Sequence, residues 1–201
     1  MSDGREGERG DELKSAVFTV PNALSVFRIL LAPIFLWTVL NGMAREALLI
    51  FVIAALTDLL DGFVARIWHQ RSKLGVVLDP AGDKLLMATS YIALALPRVA
   101  GPNHIPIWLT AVVFARDLLI VIGVFFAFLN WHEGAFPPSV LGKISTAFQV
   151  GTVFLVLWLN YRQAAPGFMS WIYILTLLVT VASGVLYFVF GLAVMRRHRQ
   201  K

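Results

Sequence analysis

The chain predicts an all-α, polytopic membrane protein with six transmembrane helices in one bundle, and three observations carry that expectation. Of its 201 residues, 58% are hydrophobic and only 14% charged, whereas a soluble domain carries nearer a quarter charged. The apolar residues gather into six runs, each close to the ~20 residues that cross a hydrocarbon core. Turn chemistry separates the runs, at Asn41-Gly42, between Pro97 and Pro106, at Pro137-Pro138 and at Pro166-Gly167. The chain has no cysteine, which excludes disulfides, Cys-ligated zinc and thiol catalysis.

Taken in order, residues 1–15 (MSDGREGERGDELKS) are charged and Gly-rich and read as a flexible cytosolic tail. They lack the basic region and short apolar stretch of a cleaved signal peptide. A membrane-embedded domain over 16–195 follows, closed by a basic tail at 196–201. Its spans are expected at Ala23–Leu40, Ala47–Ile67, Val76–Leu96, Ile105–Leu129, Val140–Leu159 and Phe168–Met195. An even number of spans puts both ends on one side. With both ends cytosolic, Arg5, Arg9, Lys14, Arg66, Arg71, Lys73 and the C-terminal basic group lie inside, against Arg45, Arg98 and Arg162 outside. That bias follows the positive-inside rule and puts the connection between the second and third spans on the cytosolic side, the membrane expected being a bacterial cytoplasmic one. The six tryptophans fall near span ends, as an aromatic belt does. No nucleic-acid partner is expected, and no histidine is assigned to catalysis.

The second and third spans carry what the first account leaves out: Asp58, Asp61, Asp79 and Asp83. An aspartate at mid-membrane costs about 2.5–3.5 kcal/mol, so four bare ones would cost on the order of 10 kcal/mol. Asp58 and Asp61 are three residues apart and Asp79 and Asp83 four, so each pair shares one helix face. A helical hairpin would bring both pairs to one depth. Carboxylates so gathered repel unless a cation lies between them, and all-oxygen ligation favours Mg²⁺, Mn²⁺ or Ca²⁺ over zinc. Gly62 and Ala65 are small enough for a bulky ligand to approach the backbone, and Arg66 adds a planar donor suited to phosphate. The local chemistry is that of a divalent-metal site for a phosphate-bearing substrate.

The run Asp58-x2-Asp61-Gly62-x2-Ala65-Arg66-x8-Gly75-x3-Asp79-x3-Asp83 resembles, without gap or substitution, the signature of the CDP-alcohol phosphatidyltransferase family. A looser likeness runs from about Pro21 to about Gln149, with the final helix contributing only hydropathy. The resemblance implies an enzyme of phospholipid biosynthesis that moves a phosphatidyl group from CDP-diacylglycerol to an alcohol and releases CMP. It implies two divalent ions, Mg²⁺ or Mn²⁺, held by Asp58, Asp61, Asp79 and Asp83. It implies a nucleotide pocket at Asp58, Asp61, Gly62, Ala65, Arg66 and Gly75, with Asp83 as the base for the acceptor hydroxyl. It also implies a homodimer.

Other intramembrane charges bear on the acceptor. Asn22, Ser25 and Arg28 form a polar stripe on the first span, which reads either as a snorkelling arginine or as part of the site. Similarity to the phosphatidylglycerophosphate synthase branch favours the site. Arg116 and Asp117 are adjacent, so they are not expected to face the same way and neutralise each other. Lys143 lies in a polar patch with Ser145, Thr146 and Gln149, which reads either as interhelical hydrogen bonding or as an anion site. Buried cations need an anion, so Arg116, Lys143 and Arg28 point to a phosphorylated acceptor. Glycerol 3-phosphate is expected, giving phosphatidylglycerophosphate. The alternative is phosphatidylglycerol giving cardiolipin, since Arg116-Asp117 and the run before Lys143 are also similar to cardiolipin synthases of the family. A cation-coupled transporter would explain the aspartates but not Gly62, Ala65, Arg66 and Gly75 at their spacings.

Overall fold

The computed structural model describes residues 20–68, 75–97, 101–131 and 139–199. The regular elements among these are all helices: α1 Val20–Leu40, α2 Ala44–Trp68, α3 Gly75–Leu94, α4 Ile107–Trp131, α5 Val140–Tyr161 and α6 Met169–Arg199. Their bounds follow the six apolar runs closely, and Asn41-Gly42, the 97–106 stretch and Pro166-Gly167 fall between helices as turn residues do. The tail at 1–15 lies outside the described residues, while the basic run that closes the chain begins inside α6.

Among the described residues, three stretches are long and apolar enough to cross a membrane, Ala23–Leu40, Val140–Tyr161 and Met169–Gly191. The other three helices carry charges: Arg45, Glu46, Asp58, Asp61 and Arg66 in α2, Asp79, Asp83 and Lys84 in α3, Arg116 and Asp117 in α4. In α3 the described stretch Lys84–Leu94 is a shorter, mostly apolar one. The chain divides into two compact units, Met1–Ala93 and Leu94–Lys201.

In the first unit α1 ends in a Schellman turn. Met43 N–H donates to Thr38 C=O at 2.9 Å and Gly42 N–H to Val39 C=O at 3.0 Å. Gly42 takes φ +68°, a left-handed position that glycine alone occupies without steric cost. So short a connection makes α1 and α2 antiparallel neighbours. Leu31, Ala32, Phe35 and Val39 of α1 are buried, as are Ala47, Leu48, Phe51 and Ala54 of α2. Their spacing of three and four residues puts each set on one stripe. Phe35 and Phe51 meet with ring centroids 6.2 Å apart. From α3, Gly82 lies against α1: a Cβ built there would stand 3.3 Å from the Ser25 carbonyl oxygen and 3.6 Å from Ile29 Cγ1.

In the second unit the Gly101–Pro106 segment is held by paired amides. Asn160 Oδ1 accepts from both Asn103 N–H (2.8 Å) and Asn103 Nδ2 (3.0 Å), and Asn160 Nδ2 donates to Asn103 C=O at 2.9 Å. The final helix, expected to contribute hydropathy alone, instead carries a polar seam. Tyr173, Thr176, Thr180, Ser183 and Tyr187 recur at alternating intervals of three and four residues, the period of one helix face. Tyr173 donates to His104 C=O at 3.0 Å, and Thr176 pairs with Thr152 at 2.7 Å. Thr180 accepts from Ser145 and from Gln149, both at 3.3 Å. Ser183 and Tyr187 reach Arg116 and Ser139.

Large apolar side chains cover the outside: Phe27, Leu30, Ile34 and Trp37 on α1, and Trp171, Leu178, Val185 and Phe188 on α6, are all exposed. Serines, threonines and amides lie within. An exterior of that kind is unstable in water but satisfied by lipid, where hydrogen bonds between helices replace solvent. It is the surface of a membrane protein.

Candidate active site

The aspartate run falls on two successive helices. Asp58, Asp61, Gly62, Ala65 and Arg66 lie in the last turns of α2, and Gly75, Asp79 and Asp83 in the first turns of α3. The side chains of Asp61, Ala65, Arg66, Asp79 and Asp83 lie outside the described residues, as does the surrounding of Gly62 and Gly75. Asp58 is described. It continues the buried stripe of Ala47, Phe51 and Ala54 by one more turn, which brings it to α1. There Arg28 Nη1 stands 3.3 Å from Asp58 Oδ1.

This pair is asymmetric. The Arg28 side chain is 1% exposed and that of Asp58 49%. A snorkelling arginine would be wet at its tip, so that reading of Arg28 is overturned. The guanidinium is instead drawn inward, because Ser25, Arg28, Ala32 and Phe35 share the interior stripe of α1 and Asp58 supplies the countercharge there. A planar, permanently charged group suits such a site better than a lysine would. Gly82, which the sequence did not single out, brings α3 against the same turn of α1, its Cβ direction 4.0 Å from Arg28 Cβ. The signal was a glycine between Asp79 and Asp83, inside a helix where glycine is otherwise unfavourable.

Whether a divalent cation suits these residues can be judged from the donors. Four carboxylates at helical spacing make a hard, all-oxygen set, and the one described, Asp58, is half open and so accessible to a cation. The residues fit. Among the described residues no three acidic or histidine side chains cluster, since Asp58 alone of the four contributes to them.

Arg116 and Asp117 correct a second expectation. Although adjacent, they pair: Arg116 Nη1 donates to Asp117 Oδ1 at 2.7 Å. The arginine side chain is long enough to fold back across one residue, so Cβ directions alone do not decide which charges meet. The polar patch around Lys143 divides. Ser145 and Gln149 turn inward to Thr180, which is interhelical hydrogen bonding, while Lys143 stays exposed on the first turn of α5.

The chain matches the CDP-alcohol phosphatidyltransferase family model over residues 18–194. It belongs to that family. The match takes in α6, well past the part of the chain that carries the signature. Among curated CDP-alcohol phosphatidyltransferases, the human cardiolipin synthase (CMP-forming) is 33% identical over 193 residues, covering 87% of this chain and 62% of that protein. The Streptomyces coelicolor cardiolipin synthase (CMP-forming) is 39% identical over 140 residues, 65% of this chain and 60% of that protein. The CDP-diacylglycerol–glycerol-3-phosphate 3-phosphatidyltransferase of Pectobacterium atrosepticum is 34% identical over 152 residues, 70% of this chain and 78% of that protein. The chain thus spans about three fifths of the cardiolipin synthases it matches.

Proposed function

We propose that this chain transfers the phosphatidyl group of CDP-diacylglycerol to a glycerol-based phosphate acceptor, releasing CMP. The observation that carries this reading is the unbroken aspartate run on α2 and α3, with the open Asp58 carboxylate anchored by a buried Arg28. In the reaction an acceptor hydroxyl oxygen forms a bond to the phosphatidyl phosphorus. The bond from that phosphorus to the CMP oxygen breaks, and CMP leaves with its electron pair. Asp83 takes the hydroxyl proton, an assignment that requires proximity more than high basicity. Asp58, Asp61, Asp79 and Asp83 would hold two ions, Mg²⁺ or Mn²⁺, which when bound supply charge neutralisation for the pyrophosphate. Asp58, Asp61, Gly62, Ala65, Arg66 and Gly75 are assigned to the cytidine nucleotide. Arg28 keeps Asp58 in place and leaves a fixed positive charge beside the phosphates.

For the acceptor, the Arg116–Asp117 pair shifts the balance. Arg116 was a reason to expect a dianionic phosphate monoester, but its charge is met by Asp117. Lys143 is then the remaining cation of α4 and α5 among the described residues. One net positive charge suits a phosphodiester monoanion, so the reading favours phosphatidylglycerol as acceptor and cardiolipin as product. The cardiolipin synthases among its relatives support it. Glycerol 3-phosphate is the second reading, favoured by the Pectobacterium relative, of which the chain covers the larger share.

The proposal includes six crossings, both ends cytosolic, and a homodimer. At 25, 20 and 25 residues, α2, α3 and α4 are about 30–38 Å long, enough to span. The test is CMP release from CDP-diacylglycerol by purified protein, with phosphatidylglycerol or glycerol 3-phosphate as acceptor. Release with phosphatidylglycerol supports the first reading and release with glycerol 3-phosphate alone the second. Silence with both, together with metal uptake into liposomes, would favour a transporter.

A further inference from the structure

We infer that the polar seam of α6 is a positioning device for Arg116 and for the first turn of α5, with Ser183 and Tyr187 as the residues that act. The inference rests on the proposed reading, with Lys143 as the uncompensated cation for the acceptor and Arg116, its charge met by Asp117, still a hydrogen-bond donor to it.

The Arg116 side chain is 10% exposed, and its guanidinium is held on three sides. Nη1 donates to Asp117 at 2.7 Å and Nη2 to Ser183 Oγ at 3.1 Å. The Tyr187 ring lies under the group, its centroid 5.8 Å from Cζ. Gly184 lets the arginine stem lie on α6, since a Cβ there would already be in contact with Arg116 Cγ at 3.6 Å. A longer side chain at 184 would push the stem away. Arg116 Nε is buried and has no hydrogen-bond partner among the described residues. A buried donor left unmet is costly, so the orientation is one the protein imposes and a bound oxygen would relieve.

Tyr187 also reaches away from Arg116. Its hydroxyl accepts from the backbone N–H of Ser139 at 3.3 Å. Ser139 is the N-cap of α5, its own Oγ accepting from Gly142 N–H at 3.0 Å. Gly142 is pressed against Tyr187 so closely that a Cβ would lie 3.0 Å from the phenol oxygen. One tyrosine therefore contacts both the guanidinium on α4 and the helical turn that carries Lys143. The two candidate acceptor cations are set relative to each other through α6, by residues that need not touch substrate themselves.

The test measures CMP release while CDP-diacylglycerol and each of the two acceptors are varied separately. Ser183→Ala is expected to raise the acceptor KM about fivefold and the donor KM less than about twofold, as loss of one charge-assisted bond implies. Tyr187→Leu, which loses ring and hydroxyl, is expected to raise it by about tenfold, and Tyr187→Phe, which keeps the ring, by less. In an Arg116→Ala background Ser183→Ala is expected to add nothing, because the group it holds is gone. Additive effects in that double variant, or equal rises in both KM values for Ser183→Ala, overturn the inference. If Tyr187→Leu does not fold, Tyr187→Phe and Ser183→Ala decide the matter. Should Arg116→Ala raise the donor KM instead, the acceptor reading fails, while the positioning role is still judged by the coupling between Ser183 and Arg116.

Discussion

Arg28 meets Asp58 two helical turns away from the point where Phe35 meets Phe51, and the two contacts share one register. Arg28 precedes Phe35 by seven residues and Asp58 follows Phe51 by seven. In an antiparallel pair of helices such steps keep the same faces opposed. The hydrophobic seam between α1 and α2 therefore delivers a buried guanidinium to the first aspartate of the motif.

Breaking that pair has a calculable cost. Removal of one partner from a fully buried ion pair costs about 3–5 kcal/mol, but Asp58 is half exposed and can be rehydrated. Arg28→Ala is expected to destabilise the protein by about 2 kcal/mol. Thermal unfolding in detergent measures it. A transition unchanged from the parent would show that the pair contributes nothing.

The carboxylates predict a chelator response. EDTA is expected to silence CMP release, and Mg²⁺ or Mn²⁺ to restore it. Asp83→Asn is expected to lower turnover by about 10³-fold, in the range of a lost general base, with an unfolding transition close to the parent's. Near-normal turnover in that variant would remove Asp83 from the base role.

Gly82 offers a graded test of how α3 seats on α1. Alanine there gains about 1 kcal/mol of helix propensity and gives back a similar amount where its Cβ presses the Ser25 carbonyl. Gly82→Ala is thus expected to be close to neutral in stability. Gly82→Leu, with nowhere to place its branches, is expected to lose about 2 kcal/mol or more along with activity. Equal behaviour of the two variants would mean that the helices part there freely.

At the end of α5, Gln163 occupies the left-handed position of a Schellman turn with φ 52°. Gln163 N–H donates to Asn160 C=O and Ala164 N–H to Leu159 C=O, at 3.1 and 3.0 Å. A residue with a Cβ is strained there by about 1 kcal/mol. Gln163→Gly is expected to recover about that much, less what is lost with the Gln163 Nε2 bond to Asn160 C=O. A lowered unfolding temperature would show that the side-chain bond outweighs the strain.

The helices were legible because their signals are local: an apolar run of spanning length and a Gly or Pro at its end. The motif was legible for the same reason, its spacings being helical ones. What escaped depends on partners distant in sequence or on side-chain reach. Arg28 stood between a snorkelling arginine and a site residue until Asp58, thirty residues on, supplied its countercharge. Arg116 and Asp117 were separated by Cβ direction and joined by the length of the arginine. The α6 seam was written in the sequence at intervals of three and four, but its residues are uncharged hydroxyl bearers in a strongly apolar run, so hydropathy masked them. Gly82 was hidden among the residues of the motif itself.

The three-residue link at Asn41–Met43 has a consequence for what variation this chain tolerates. Surface loops ordinarily absorb insertions at little cost. Here one added residue would turn α2 by about 100° against α1, and Asp58, roughly 22 Å along the helix from the link, would swing off the Arg28 face. The length of a bend at the far end of the hairpin is thereby bound to the chemistry at the other, and relatives that keep the reaction are expected to keep that bend unlengthened.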